Sequence, residues 1–268
     1  MRTHFLNATS FFTECAQKAS RRYFINRLSF RMFGLCFMDS ATAHFTVLFE
    51  DNHLLVVNKF AGILVQGDIT GDIPLVELCK QYIKEKYHKP GEVFLGVVHR
   101  LDRPVSGVVV LARTSKSLER MNALFREKET TKTYFAIVKK KPPLPEGVLT
   151  HWLQKDEKKN NTAVFKNERK EALRSELSYK VLGTAQDHWL LEVNPVTGRP
   201  HQIRAQLASM GCVITGDVKY GADKPNEDGS IYLHARRLRF IHPVKKVNVT
   251  FAAPLPAMGM WKYFTKFD

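Results

Sequence analysis

Cysteine is scarce: Cys15, Cys36, Cys79 and Cys212 lie far apart, with no CxxC pair and no histidine at ligand spacing. That excludes the usual zinc modules and a disulfide framework, and it fits a reducing compartment. No apolar run reaches the ~18 residues that a membrane-spanning helix needs; the longest, such as Val108–Ala112, are strand-sized. The chain lacks a GxxxxGK[ST] phosphate loop, a GxGxxG turn and an HExxH pair, so the nucleotide, dinucleotide and zinc-hydrolase signatures are missing. Acid is the minority charge. Across 268 residues, 26 Asp+Glu face 41 Lys+Arg, for a formal net charge of +15.

What is present is the composition of a folded protein, 44% hydrophobic and 25% charged. The cationic excess points to a polyanionic partner. Nucleic acid ranks ahead of anionic lipid, because no basic amphipathic helix flanks a hydrophobic anchor. Residues 1–37 stand apart, with six basic side chains, one acid (Glu14) and many Phe and Ser. Their composition is that of an organellar transit segment; the plainer alternative is a start at Met38 with non-native sequence upstream. The expected division is an N-terminal extension over 1–40 and one folded domain over 45–258.

Within that domain, Val47–Phe49 and Leu54–Asn58 read as two strands about the Glu50-Asp51-Asn52 turn. Leu75, Leu78, Cys79, Tyr82 and Ile83 follow helical spacing behind Pro74, and Leu118, Met121, Leu124 and Phe125 mark a second helix. Phe94–His99 and Gly107–Ala112 are β-rich runs around a polar loop. Thr131–Val138 alternates as a strand, and Val148–Phe165 is a charge-rich hairpin. Strands are expected at Glu176–Leu182 and Trp189–Val193, then a helix over Pro200–Met210 with the stripe Ile203, Leu207, Met210 and a stop at Gly211. Ile231–Ala235, Leu238–Ile241 and Val247–Phe251 complete the strands. Many strands with few helices between them predict an α+β fold with a mainly antiparallel sheet.

Three stretches could carry chemistry. In His99-Arg100-Leu101-Asp102-Arg103-Pro104-Val105-Ser106-Gly107, an acid flanked by two arginines sits on a loop between apolar strands. Nearby guanidinium groups would keep the carboxylate ionised, as a nucleophile or base requires. On an extended backbone Arg100 and Asp102 would point the same way. An Arg–Asp pair bracing a turn has the same pattern, and the segment alone leaves both readings open. In Val196-Thr197-Gly198-Arg199-Pro200-His201-Gln202-Ile203-Arg204, a turn runs into a helix start whose free N–H groups could hold an anion. Ile203 falls on the buried stripe, so Arg204 would lie at its edge, facing a cleft; solvated cations on an ordinary connection are the alternative. In Lys132-Thr133-Tyr134-Phe135-Ala136, Tyr134 is out of phase with Phe135, and a tyrosine there is as often core.

In this order and spacing, the three stretches together resemble the RluA family of RNA pseudouridine synthases. The resemblance takes in Val57-Asn58-Lys59-Phe60-Ala61-Gly62, Gly216-Asp217-Val218-Lys219-Tyr220-Gly221, Leu233-His234-Ala235 and Ala253-Pro254-Leu255-Pro256, and so runs from about Phe45 to Pro256. Two positions depart from the family pattern: Phe60 stands where Pro is usual, and Val105 where Thr is usual. The resemblance implies the pseudouridine synthase fold, a mixed, mainly antiparallel sheet flanked by helices and loops with a central catalytic cleft. It implies isomerisation of uridine to pseudouridine in ribosomal or transfer RNA, without cofactor or metal, by a cytoplasmic monomer that needs no membrane. It makes Asp102 the essential carboxylate, Arg204 its ion-pair partner, and Tyr134 the aromatic packed on the target base. Arg100 becomes the residue that helps evict the nucleotide, and Arg199 and His201 join it as RNA contacts. The further cationic candidates for phosphate are Lys139–Lys141, Arg236, Arg237, Arg239, Lys245 and Lys246. Two rival readings are an RNA-binding or ribosome-assembly factor that kept the fold without catalysis, and a nucleoside- or glycoside-cleaving hydrolase. The hydrolase normally needs a second catalytic carboxylate.

Overall fold

A computed structural model of the protein describes residues 44–268; the expectations for residues 1–40 lie outside these. Eleven strands form one sheet: β1 (Phe45–Glu50), β2 (Leu54–Lys59), β3 (Gly96–Val97), β4 (Ser106–Ala112), β5 (Thr131–Val138), β6 (Glu146–Asp156), β7 (Asn161–Phe165), β8 (Leu173–Ala185), β9 (His188–Pro195), β10 (Leu233–Ile241) and β11 (Asn248–Ala252). The main path is β1-β2-β4-β10-β5-β9-β8-β6-β7, with β11 on β10 and β3 on β4. Among the described residues only β4 and β10 pair in parallel; every other strand pair is antiparallel. Among the described residues three α-helices accompany the sheet: α1 (Leu75–Lys86), α2 (Ser115–Arg126) and α3 (Gln202–Ser209). Among the described residues, no helix is long and apolar enough to cross a membrane.

The alternation of side chains along each strand divides the core between the two faces of the sheet. On one face Leu55 and Val57 of β2, Val109 and Leu111 of β4, and Leu191 and Val193 of β9 meet Leu75, Cys79 and Ile83 of α1 and Ile203 and Leu207 of α3. On the other, Leu54, Val56, Val108 and Val110 pack on Met121 of α2, with Phe251 of β11. Farther along that face, Phe135 and Ile137 of β5 cover Trp261 and Phe264, both buried, in short 3-10 turns beyond residue 258. The helix starts follow local chemistry. Thr114 accepts the Ser117 N–H to cap α2 at 3.1 Å, and Pro74 precedes α1, where its missing N–H costs nothing.

Three sequence expectations change. The run Phe94–His99 pairs only at Gly96 and Val97, because the ring of His99 accepts the Val110 N–H at 3.1 Å in place of a longer ladder. The runs Ile231–Ala235 and Leu238–Ile241 merge from Leu233 onward into one strand, β10, whose register against β5 shifts between His234 and Arg237. The helix expected from Pro200 begins at Gln202, since His201 has a left-handed backbone with φ of 52°. It is buried on all sides from Gln202 to Leu207 rather than along one stripe, so Arg204 is inside.

The join of β4 to β10 sets the site. Ser106 pairs with His234 and Gly107 with Ala235. The Ser106 hydroxyl lies 2.9 Å from His234 Nδ1, while His234 Nε2 faces the Ala253 carbonyl at 3.3 Å. Burial pushes the pKa of His234 down to about 4, so the ring is neutral and spans three of the motif segments. Gly107 has φ of 119°, and a side chain there would meet the Ala235 main chain, its nitrogen only 2.6 Å away. Gly107→Ala therefore combines a disfavoured backbone with a clash against a strand. It should destabilise the domain by about 2–5 kcal/mol, read as a lower midpoint in denaturant unfolding; a midpoint matching wild type would show that the two strands can part at no cost.

Candidate active site

The loop of residues 98–105 leaves β3 and enters β4, and its main chain is tied down at several points. Val105 N–H donates to the Asp102 carbonyl (3.0 Å), Gly62 N–H to Arg103 (2.8 Å), and Ile231 N–H to Pro104 (3.1 Å). Below it, the ammonium of fully buried Lys59 donates to the carbonyls of Phe60 (3.0 Å), Ile63 (2.8 Å) and Arg103 (3.2 Å). Burial lowers the Lys59 pKa to about 7, against the raising effect of the Asp102 charge. The substitution of Phe for the family's Pro is absorbed here: Phe60 keeps an N–H, which donates to His44 at 2.9 Å and closes the β1–β2 pair. Val105 is buried in the apolar core.

Asp102 is not paired with the arginines beside it in sequence. Arg103 turns away, its Nε donating to the Gly62 carbonyl (2.9 Å) and its Nη1 meeting Asp72 (2.7 Å), while Arg100 is exposed on the cleft wall. The partner comes from α3. Arg204 Nη1 donates to Asp102 Oδ2 at 2.7 Å, and its Nε and Nη2 grip Asp217 at 2.7 and 2.8 Å. Asp217 is 1% exposed, Arg204 is 5% exposed, and the Asp102 side chain keeps 30% of its surface open, so the triad runs from the interior to the cleft. Burial opposes the charge on Arg204, but the bonds and charge of Asp217, then of Asp102, outweigh it and raise the pKa above the ordinary arginine value. Asp102 Oδ1 meets no hydrogen-bond donor among the described residues.

A cleft of about 740 Å³ opens beside Asp102, lined by Arg100, Asp102, Tyr134, Arg199, His201 and Arg204. All six residues singled out in the sequence thus come together. Tyr134 projects from β5 on the face opposite Phe135, at the cleft edge of the core. Burial pushes its phenol above the usual pKa, and the charge of Asp102 adds to this, so it stays protonated. The β9–α3 turn is less open to an anion than its sequence implies, because the Gln202 side chain accepts the Arg199 N–H at 3.0 Å and the Thr197 hydroxyl at 2.8 Å. Arg199 still offers a donor: its Nε is buried without an acceptor among the described residues. Lys132, Lys155 and Lys219 add to the lining. Arg236 does not take part, since it is buried against the Ala253 carbonyl and Asp268, and Lys245 is paired with Asp51.

Asp217, Lys59 and Tyr220 were not singled out for the site from sequence. Asp217 and Tyr220 stand in a segment that contributed to the resemblance, but nothing local shows that a buried guanidinium lies opposite them. Lys59 had one cue, a cation ending the apolar run Leu54–Val57.

A carboxylate whose charge is fixed from the protein side and left open on the other belongs to an enzyme, and the cationic lining suits it to a polyanion. Comparison with known proteins gives the family. A model described as RNA pseudouridylate synthase matches residues 53–209. The ribosomal large subunit pseudouridine synthase C of Vibrio cholerae is 31% identical over 224 residues, which are 79% of this chain and 66% of that protein. The tRNA pseudouridine synthase C of Vibrio parahaemolyticus is 31% identical over 247 residues, 85% of this chain and 97% of that protein. Among solved structures, human RNA pseudouridylate synthase domain containing 4 superposes with a TM-score of 0.66 at 26% identity, covering 81% of this chain and 90% of the other. The chain belongs to the RNA pseudouridylate synthase family, of the RluA type, and has its α+β fold.

Proposed function

We propose that the protein isomerises uridine to pseudouridine in ribosomal or transfer RNA, with Asp102 as the essential carboxylate. The observation that carries this is the buried Arg204 held between Asp217 and Asp102, which fixes Oδ2 of a carboxylate that lines the cleft and leaves Oδ1 without a donor among the described residues. In the reaction the C1′–N1 bond breaks, the base turns, and a C1′–C5 bond forms; C5 loses its proton and N1 gains one. Substrate and product are isomers. Whether Asp102 adds to the substrate or removes a sugar proton, the same carboxylate serves.

A target uridine must leave its stack to reach Asp102. Tyr134 supplies an aromatic face for the extruded base, Arg100 stands at the cleft wall to fill the vacated space, and Arg199, also on the cleft wall, brings a guanidinium to a phosphate. The relatives' names include both ribosomal and transfer RNA, and this chain's cleft is proposed to take one of the two.

RNA carrying tritium at C5 of uridine tests the reading. Isomerisation releases the label to water with the RNA mass otherwise unchanged, hydrolysis releases uracil, and an RNA-binding factor releases neither.

A further inference from the structure

His201 lines the cleft wall, and on the protein side it faces Asp102 and Tyr220. Its Nε2 lies 3.7 Å from Asp102 Oδ2, the oxygen that Arg204 already holds. Its Nδ1 lies 2.9 Å from the Tyr220 hydroxyl. That hydroxyl accepts the Thr162 N–H at 2.8 Å and keeps its own proton, which it can donate to Nδ1. With Nδ1 an acceptor, the neutral imidazole carries its proton on Nε2, on the side of Asp102. The Tyr220 ring is itself fixed, edge-on to His201 at 5.7 Å and with the Arg204 guanidinium 5.1 Å from its centre. The left-handed backbone at His201 turns its ring toward the carboxylate, and the Thr162 hydroxyl donates to the neighbouring Pro200 carbonyl at 2.9 Å. Thr162 belongs to β7, so the β6–β7 hairpin holds both the tyrosine and the turn.

We propose that His201 is a positioning residue for Asp102: Tyr220 locks it as the Nε2–H tautomer, and that N–H closes on the carboxylate when substrate enters, fixing Oδ1 for reaction. A separation of 3.7 Å is too long for a hydrogen bond at rest, and such contacts commonly tighten in the substrate complex. Burial keeps His201 below its ordinary pKa; Asp102 and Asp217 pull it up, while Arg204 and Lys219 push it down. Falling pH charges the ring, places a second proton against the Tyr220 hydroxyl and breaks the lock.

The proposal rests on the isomerase reading, and its test separates the two. Glutamine can place an amide N–H where histidine has Nε2; asparagine reaches only the Nδ1 position. His201→Asn should lower the single-turnover rate about ten- to a hundredfold, the value of one hydrogen bond to a charged group, with RNA affinity little changed. His201→Gln should recover most of that loss and lack the acid limb expected of wild type, which falls below the ordinary histidine range because burial lowers the pKa of His201. Tyr220→Phe keeps the ring over Arg204 and should slow the reaction in the same sense, which covers the case of a His201 variant that fails to fold. Nitrogen-15 NMR of the imidazole reads the tautomer directly and without substrate, and should find Nε2–H in wild type. An Nδ1–H tautomer, equal rates for the Asn and Gln variants, or a loss confined to RNA affinity would overturn the proposal. Nε2–H with no tritium release by wild type would instead overturn the isomerase reading.

Discussion

Asp102→Asn is expected to bind RNA within a few-fold of wild type and to form no detectable pseudouridine. The amide nearly matches the carboxylate in size, and the loop that carries it is held by main-chain bonds at residues 102, 103 and 104 that the side chain does not make. The cleft should therefore keep its shape. The negative charge is what disappears, and with it the group able to open the glycosidic bond. Removing a catalytic group of this kind costs on the order of 10⁴-fold or more in rate. RNA is held by cations elsewhere on the cleft, so affinity changes little and can rise with one anion fewer. Single-turnover assays beside filter binding separate the two quantities; a normal rate in the variant would make Asp102 a brace for its turn.

Arg204→Met should have the largest effect on stability of any change at the site. The guanidinium neutralises Asp217, which is 1% exposed, as well as Asp102. Without it a buried carboxylate is left uncompensated, at a cost of about 3–5 kcal/mol. Loss of activity in that variant would therefore mix unfolding with chemistry. Arg204→Lys is the cleaner test of the chemistry: one ammonium cannot grip Asp217 through two nitrogens and reach Asp102 with a third. The lysine enzyme should stay largely folded and lose about ten- to a hundredfold in single-turnover rate. If both variants unfold at the wild-type midpoint, Asp217 does not depend on Arg204. If they lose only RNA affinity, Arg204 belongs to phosphate binding.

Much of the fold was legible because period and punctuation agreed. The apolar run Leu54–Asn58 beside its turn and the two-residue alternation in Thr131–Val138 both mark strands, and the helix spacing of Leu75 to Ile83 and Leu118 to Phe125 matches the helices α1 and α2. What was not legible depended on tertiary contacts. His99 ends β3 by using its ring where a backbone partner would stand, and α3 is buried all round, so a stripe of three apolar residues described it poorly. At the site, Asp102 and Arg204 could be paired only through the resemblance, since they are 102 residues apart. The local sequence pointed to Arg100 and Arg103 instead. Asp217 was hidden for a related reason: a lone acid on a glycine-bearing turn looks like surface until a guanidinium is found buried against it.

The departures from the family pattern have local explanations. Phe60 keeps an N–H that proline would lack and uses it to close β1 onto β2, and Val105 fills an apolar position beneath the Asp102 loop. Neither reaches the Asp102–Arg204–Asp217 triad.

The most direct measurement is tritium release from C5-labelled uridine in ribosomal and transfer RNA, with wild-type protein and Asp102→Asn side by side. Release by wild type in step with new pseudouridine, and none by the variant under conditions where it still binds the RNA, is the expected result. Equal release by both proteins, or release of uracil in place of label alone, would contradict an isomerase centred on Asp102.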